Sequence, residues 1–434
     1  MKPGILLCLP LFFNVPLLRA DPEPVRVITL ESVRTLALEN SFSLKKEALN
    51  LELSRIQAKN LWAQVLPSLS ASGAIGHDFP LNDAAPSAEP SISASLRLSL
   101  GLSAAIPYTM KRISLSYQKS LVDYNRSRQQ LLLESSKAFY SLLTQKNYLT
   151  VLEGAMNLAA EQLERNRVAR QNGYIGELDF LSSGLSAERA RLVYNKALSE
   201  YRLELKDFLA TLGIEGGDEV TLEGNVEITK IAPDPEELIA LYLPRHLELQ
   251  SLRNEVERLR AARGETALST RGPSVNLSTS WGVSRAGGFN DSISGDLSVS
   301  IPLDPWIPRS RQDQVFTQAR VEHEKALMDL QDAENSVRRE IRGHVERIKT
   351  TWTEVEIARL NSGYAQRAYD LAAQAYRMGT MNFLDFETLR NRLTEARQQQ
   401  FESELAYQIL ILDLASVLNV EEETLLRFRT GSGE

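Results

Sequence analysis

The chain has 434 residues, of which 49 are basic and 56 acidic, giving a formal charge of −7 at pH 7, with four histidines and a single cysteine. That length is ample for a large core or for two domains. The acidic balance argues against nucleic acid, whose binding needs a basic footprint, and a lone cysteine excludes an internal disulfide framework.

Residues 1–20 read as a secretory signal: Lys2 precedes the apolar run Ile5 to Leu18, and Leu18-Arg19-Ala20 fits a cleavage site. A short buried strand or helix is the alternative. Cys8 follows Leu7, where lipidation needs a small residue, so no lipid anchor is expected there. Loss of this segment removes the only thiol with Lys2 and Arg19, taking the formal charge to −7 − 2 = −9. The later chain offers no run of about twenty apolar residues, so no spanning helix is expected. Entry into a bilayer would have to be by strands.

A first helix is expected from about Glu31 to Leu66, with Leu44, Ala48, Leu51, Arg55, Ala58, Trp62 and Val65 at coiled-coil spacing before Pro67 stops it. A strand pair occupies about 67–107. Leu69, Ala71 and Ile75 mark its weaker arm, and Ser91 to Ile106 alternates without a break between an aliphatic and a serine-rich face. A long helix then covers roughly Lys111 to Asn172, with Leu142, Leu149, Leu152, Met156, Ala159 and Leu163 along one seam, and Gly173 is its left-handed cap. A further helix runs from about Glu177 to Leu212. Residues 214–235 form a connector with a short strand candidate at Glu219 to Glu223.

The same plan then returns: a helix over about 234–263, a strand pair at about 273–302, a long helix from about Arg309 to Met378, a turn at 379–384, and a helix from Leu384 to Leu418. Gly173, Leu178, Asp179 and Phe180 recur as Gly379, Leu384, Asp385 and Phe386, an offset of 379 − 173 = 206. Pro67-Ser68 and Pro273-Ser274, Ala190-Arg191 and Ala396-Arg397, Tyr201 and Tyr407, and Leu212 and Leu418 keep that offset. Heptads align with heptads by chance; prolines, turn glycines and strands do not. The chain therefore divides into a signal segment (1–20), a first repeat (21–213), a connector (214–235), a second repeat (236–420) and a tail (421–434). The long helices would be on the order of 95–105 Å, matched end to end by the two shorter helices of a repeat.

In the second strand pair Val275, Leu277, Trp281 and Val283 alternate with serines and Asn276, and Ile293, Leu297, Val299 and Ile301 alternate with serines and Asp296. One apolar and one small-polar face is the transmembrane barrel pattern. A soluble sheet on a helical layer has the same period. Trp281, Trp306, Phe79 and Tyr108 are interfacial aromatics or ordinary packing. Four strands cannot close a barrel, and an open edge in lipid is prohibitive, so a barrel must be shared: two chains give eight strands, three give twelve.

Leu30-Glu31 with Leu36-Ala37-Leu38-Glu39-Asn40, Leu66-Pro67-Ser68-Leu69, and Gly379 with Leu384-Asp385-Phe386, in this order and in a duplicated chain, resemble the TolC-like outer membrane efflux protein family. The resemblance spans the mature chain. It implies a mainly α protein with β structure. Its unit is a duplicated helix–β-hairpin–helix repeat, assembled into a homotrimer with a long α-helical coiled-coil barrel and a shared 12-stranded transmembrane β-barrel. Such a protein is the outer membrane exit duct of a tripartite efflux or type I secretion system. Its partners would be outer membrane lipid, a periplasmic adaptor (membrane fusion) protein and an inner membrane RND or ABC transporter. A structural or adhesive coiled-coil protein is the alternative. Two lengths depart from the repeat: Pro67 to Pro107 spans 40 residues against 29 for Pro273 to Pro302, and Pro107 to Gly173 spans 66 against 77 for Pro302 to Gly379.

The turns at Gly173–Leu178 and Gly379–Leu384 fall at the end opposite the strands. Gly173, Leu178, Gly379 and Leu384 are candidates for adaptor contact. Asp179 and Asp385, with Glu177 and Glu387, are candidates for acidic rings at a periplasmic entrance, a role implied by the resemblance, although Thr388 stands where a second family aspartate can occur. Carboxylates in a first helical turn also favour the positive dipole end, and Asn382 is a sensible N-cap, so both readings stand. No enzyme is expected: His77, His246, His323 and His344 are scattered, no nucleophile or phosphate-loop pattern occurs, Gly282 to Gly288 is a hairpin tip, and no cofactor or metal site is indicated.

Overall fold

The computed structural model describes residues 26–76, 91–214, 220–224, 228–285 and 289–428. The signal segment, His77, Phe79 and part of the 282–288 hairpin tip lie outside them. Strand β1 (Arg26–Ile28) leads into α1 (Leu30–Asn40) and α2 (Phe42–Lys59). The helix expected over 31–66 is broken at Ser41. Its hydroxyl accepts the Leu44 amide at 3.3 Å and caps α2, the competition with the backbone that makes serine a helix starter. The inner face of α2 also differs by one step. Ala48 and Arg55 are exposed, whereas Glu47 and Ser54 turn partly inward, Ser54 meeting Ser120 at 2.9 Å.

A 3-10 turn (Leu61–Val65) passes to β2 (Ser68–Gly76) and β3 (Ser91–Ser103). Helix α3 (Ile106–Gln171) starts earlier than near Lys111, because Pro107 sits in its first turn, where a missing N–H leaves no bond unmade. Helix α4 (Glu177–Thr211) and strand β4 (Val220–Leu222) complete the first copy and enter the connector. The helix expected over 234–263 is divided by Pro244 into α5 (Pro235–Tyr242) and α6 (Leu247–Arg271), the latter running beyond Arg263. Then come β5 (Ser274–Arg285), β6 (Phe289–Ser300), α7 (Arg311–Arg377), α8 (Phe383–Leu418) and α9 (Glu422–Leu425). Among the described residues no helix is long and apolar enough to cross a membrane.

Each strand continues a helix, and the strands stand in the order of the helices. The sheet is antiparallel in the order β2-β3-β5-β6, and the adjoining helices pack side by side as α2-α3-α6-α7. Further from the strands α4 replaces α2 and α8 replaces α6: α3 packs on both α4 and α8, α8 packs on α7, and α4 also touches α8. The protomer is thus one layer, and its 66- and 67-residue helices each measure roughly 100 Å. Their near equality leaves the difference between the proline-to-glycine spans, 66 against 77 residues, to what precedes each helix. Pro107 lies inside α3, whereas Pro302 precedes α7 across a separate segment with a 3-10 turn at Asp304–Trp306.

Register fixes the two faces of the sheet. Ala71, Leu96, Trp281 and Ile293 share one rung and one face, and Leu100 with Leu277 and Leu297 shares another. The opposite face carries Ser68–Ser99, Ser72–Ser95 and Ser280–Ser294 pairs whose hydroxyls meet at 2.8 Å. These cross-strand bonds satisfy polar groups within the sheet.

The apolar core lies in two belts where the short helices meet. One gathers Val33, Phe139, Leu142, Leu209 and Leu212 with β1 and β4, which pair in parallel. The other gathers Leu238, Leu249, Ile341, Ile348, Tyr407 and Leu414. The fully buried Tyr407 donates its hydroxyl to the Thr229 carbonyl at 3.0 Å and accepts the Ile231 amide at 3.1 Å, tying the connector to α8. The region read as a tail folds onto the same belt: Leu425 is fully buried, and the Phe428 carbonyl accepts the Ala232 amide at 3.1 Å.

Two histidines that the sequence left scattered enter this belt. His246 and His344 are buried, both beside Glu340, with His344 Nε2 at 3.8 Å from its carboxylate. Burial holds both imidazoles below the ordinary histidine value, and each Nδ1 lacks a partner among the described residues. A lowered folded pKa means the unfolded chain takes up the proton first. Stability from this source is complete above about pH 6.5 and is lost as pH falls from there towards the folded value. Denaturation of the purified protein at pH 7.5 and 5.5 should therefore show an acid loss, and His344→Gln should reduce that loss; an unchanged difference removes His344 as a contributor.

Candidate functional site at the distal helical turns

The two turns end α3 and α7 in the same way. Gly173 has φ +73 and Gly379 φ +75, the left-handed region where a side chain is strained. The Gly173 amide bonds the Arg170 carbonyl at 2.9 Å and the Tyr174 amide bonds that of Ala169 at 2.9 Å. One repeat later, Gly379 bonds Tyr376 and Thr380 bonds Ala375, each at 3.0 Å. This paired bonding closes a helix and reverses its path.

Both turns lie at one end of the layer, since Tyr376 Oη donates to Asn166 Oδ1 at 3.0 Å and the Asp179 charge acts on Tyr376. Their interiors differ. In the second copy Tyr369, Tyr376, Phe383 and Phe386 form an aromatic cluster, with Tyr376 stacked on Phe386 at 5.0 Å. In the first copy Arg170 replaces the tyrosine, lying 4.7 Å over Phe180 and 2.7 Å from the Glu177 carboxylate.

The four candidate acids therefore have unequal surroundings. Glu177 is held by Arg170, and the half-buried Glu387 by Arg390 at 3.3 Å. Asp385 accepts from Asn382 Nδ2 at 2.8 Å while its own amide donates to Asn382 Oδ1 at 2.8 Å, a reciprocal cap. Asp179 follows Gly176, which offers no side-chain cap, and is half-buried beside Tyr376. Leu178 and Leu384 are 77% and 66% exposed at equivalent places. Tyr174 and Met378, which the sequence reading did not single out, are equally open beside them. Their position against the turn glycines was the available signal.

Arg390 was also missed. It is 6% exposed between α4 and α8, donating to Ser186 Oγ at 2.6 Å as well as to Glu387. Burial lowers its pKa, partly offset by the Glu387 charge. Gly184 occupies the equivalent place in the first copy, so the repeat signal fell silent there. Arg390, Glu387 and Ser186 line a cavity of about 260 Å³ with Tyr148, Arg189 and Glu395. Among the described residues no cluster of three or more His, Cys, Asp or Glu side chains is arranged to hold a metal.

A duplicated, single-layer wall of strands continued by paired long helices defines a channel-forming class rather than an enzyme. The chain matches the family model described as outer membrane efflux protein over residues 33–213 and 238–420, and it belongs to that family. It is accordingly an outer membrane efflux channel with a periplasmic helical extension, and not an enzyme. Solved structures share the fold. The Campylobacter jejuni CmeC outer membrane channel is 19% identical with TM-score 0.74, covering 92% of this chain and 88% of that one. The open state of the Neisseria gonorrhoeae MtrE outer membrane channel is 16% identical with TM-score 0.74, over 90% and 89%. A membrane protein from Pseudomonas aeruginosa is 19% identical with TM-score 0.74, over 90% of each chain. No curated protein matches by sequence.

Arg390→Ala would leave the Glu387 carboxylate half-buried without its cation, a loss of about 3 kcal/mol. Hydrogen exchange at α4 and α8 amides near 183–190 and 387–394 should quicken in Arg390→Ala; wild-type protection would show that Arg390 does not hold the two helices together.

Proposed function

We propose that the chain acts as one third of a trimeric exit duct, and the observation that carries this reading is the coincidence of its two free edges. On one edge stand β2, α2 and α4; on the other stand β6 and α7. Helix α4 touches α8, as at Ser186 and Arg390, but both edges expose apolar residues at coiled-coil spacing. Leu49, Leu53 and Ile56 lie on α2, Leu178, Leu181, Leu185 and Leu192 on α4, and Ile357, Leu360, Tyr364 and Leu371 on α7 with Met378 at its cap. Burying one such leucine contributes about 1.5–3 kcal/mol. The edge strands carry a harder requirement, because backbone groups in lipid must be paired within protein.

Joining the β6/α7 edge of one copy to the β2/α2 edge of the next repeats around a ring. Three copies of a four-stranded sheet supply twelve strands, enough for a bore rather than a filled interior. The serine face then lines water and the aliphatic face meets lipid. The duct is passive and takes its energy from an inner membrane RND or ABC transporter through a periplasmic adaptor. The exposed Leu178 and Leu384 beside their turn glycines support docking of the adaptor at the distal end. Asp179 and Asp385 supply carboxylate rings at the entrance there, with Glu177 and Glu387 committed to arginines behind them.

Fractionation tests the assembly: recovery from the outer membrane as a heat-sensitive trimer is expected, and a soluble or monomeric protein would sink it. In planar bilayers Asp179→Ala should lower cation-over-anion permeability more than Glu177→Ala does, since Arg170 already neutralises the glutamate. Identical selectivity in both variants and wild type would remove the acidic entrance.

A further inference from the structure

The serine face of the sheet holds one feature that neither assembly nor lipid contact requires. Its described positions on β2, β3, β5 and β6 are Ser, Gly, Ala or Asn with two exceptions, Arg97 and Asp296. Arg97 is the one long side chain on that face and the one cation. It sits midway along β3, opposite Ser70 on β2 and Ser280 on β5, and it is exposed. Asp296 does not share its rung. It faces Ser278, which faces Ser99, one inward position nearer the helices.

Separation keeps the two charges distinct. Two strand spacings, on the order of 10 Å, lie between β3 and β6, comparable with the Debye length in physiological salt. In a ring of three copies the aspartate would stand two strands from an arginine on either side. Its side chain is short, whereas that of Arg97 is long and exposed. Nor is Arg97 placed for lipid headgroups. Arg285, at the hairpin end on the apolar face and 5.3 Å from the Phe289 ring, occupies that kind of position.

We propose that Arg97 forms a cationic ring within the barrel that favours anionic solutes, those bearing carboxylate, sulfonate or phosphate groups, in the last stretch of the duct. This rests on the trimeric barrel above. Rings of arginine or lysine are how pores attract anions, and low-dielectric walls focus the field of such charges. The surrounding hydroxyls are neutral and small, so they oppose neither the charge nor the passage. Acidic rings at the distal turns and a basic ring in the barrel would give the duct two successive filters of opposite sign.

The test reads local potential rather than whole-channel conductance, which the narrow entrance would dominate. In a Cys8→Ser background, Ser280→Cys places a thiol directly opposite Arg97. Methanethiosulfonates carrying a sulfonate or a trimethylammonium group are then reacted with the assembled trimer, with and without Arg97→Ser. The anionic-to-cationic rate ratio should fall about three- to fivefold when Arg97 is replaced by serine, and Arg97→Lys should keep it near wild type. An unchanged ratio overturns the cationic ring, and so does a thiol unreactive to both reagents in an intact trimer. Failure of the trimeric reading looks different, because the protein would then run as a monomer before any reagent is added.

Discussion

An unpaired strand edge is tolerable in water and ruinous in lipid. That asymmetry governs this protein more than any single side chain does. Within one chain β3 and β5 each have a strand on both sides, but β2 and β6 each leave a row of amides and carbonyls open. Because every strand runs on into a helix, the same incompleteness extends down both sides of the helical layer, where leucines, a tyrosine and a methionine stand in solvent. In the proposed assembly the membrane requirement and the coiled-coil requirement would be met by one act, closure of copies into a ring. The protomer is better understood as a stave than as a domain.

Gene-level duplication explains the economy of this wall, and its imperfections are informative. The four long helices α3, α4, α7 and α8 all end in the same left-handed region, at Gly173, Gly213, Gly379 and Asn419. At Gly213 a side chain would also collide with Asn40, whose amide reaches the Leu212 carbonyl at 2.7 Å. Asparagine serves at the fourth because it tolerates positive φ better than most residues. Where the copies diverge, the chemistry changes. An aromatic stack in one distal turn faces an arginine–glutamate pair in the other, and Arg390 in one copy faces Gly184 in the other. Backbone geometry has been kept while side chains have been reassigned.

Much of this was legible from the residues. Period-two alternation located β3, β5 and β6, and positive-φ glycines at one offset located the reversals, because both signals are local. Three things were not. Ser41 and Pro244 break helices that were expected to be continuous, because the seam read for the first starts only at Leu44 and the proline inside the second was given no weight. Strand β1 and helix α9 are too short to carry a pattern, and they exist because β4 and the connector cover them. The pairing of Glu177 with Arg170 and of Glu387 with Arg390 follows from i+7 and i+3 positions around a turn or along a helix. A list of acidic residues near a turn does not distinguish them from Asp179.

The joints between strand and helix are unequal. Only Ala104 and Ala105 separate β3 from α3, while the passage from β6 to α7 takes the stretch 301–310, including Arg309 at φ +67. Pleated and coiled segments twist at different rates, so a cylinder of one stacked on a cylinder of the other accumulates torsional misfit. In the proposed ring, a stave with one short joint and one long one would absorb that misfit at its seam with the neighbouring copy, leaving its centre undistorted.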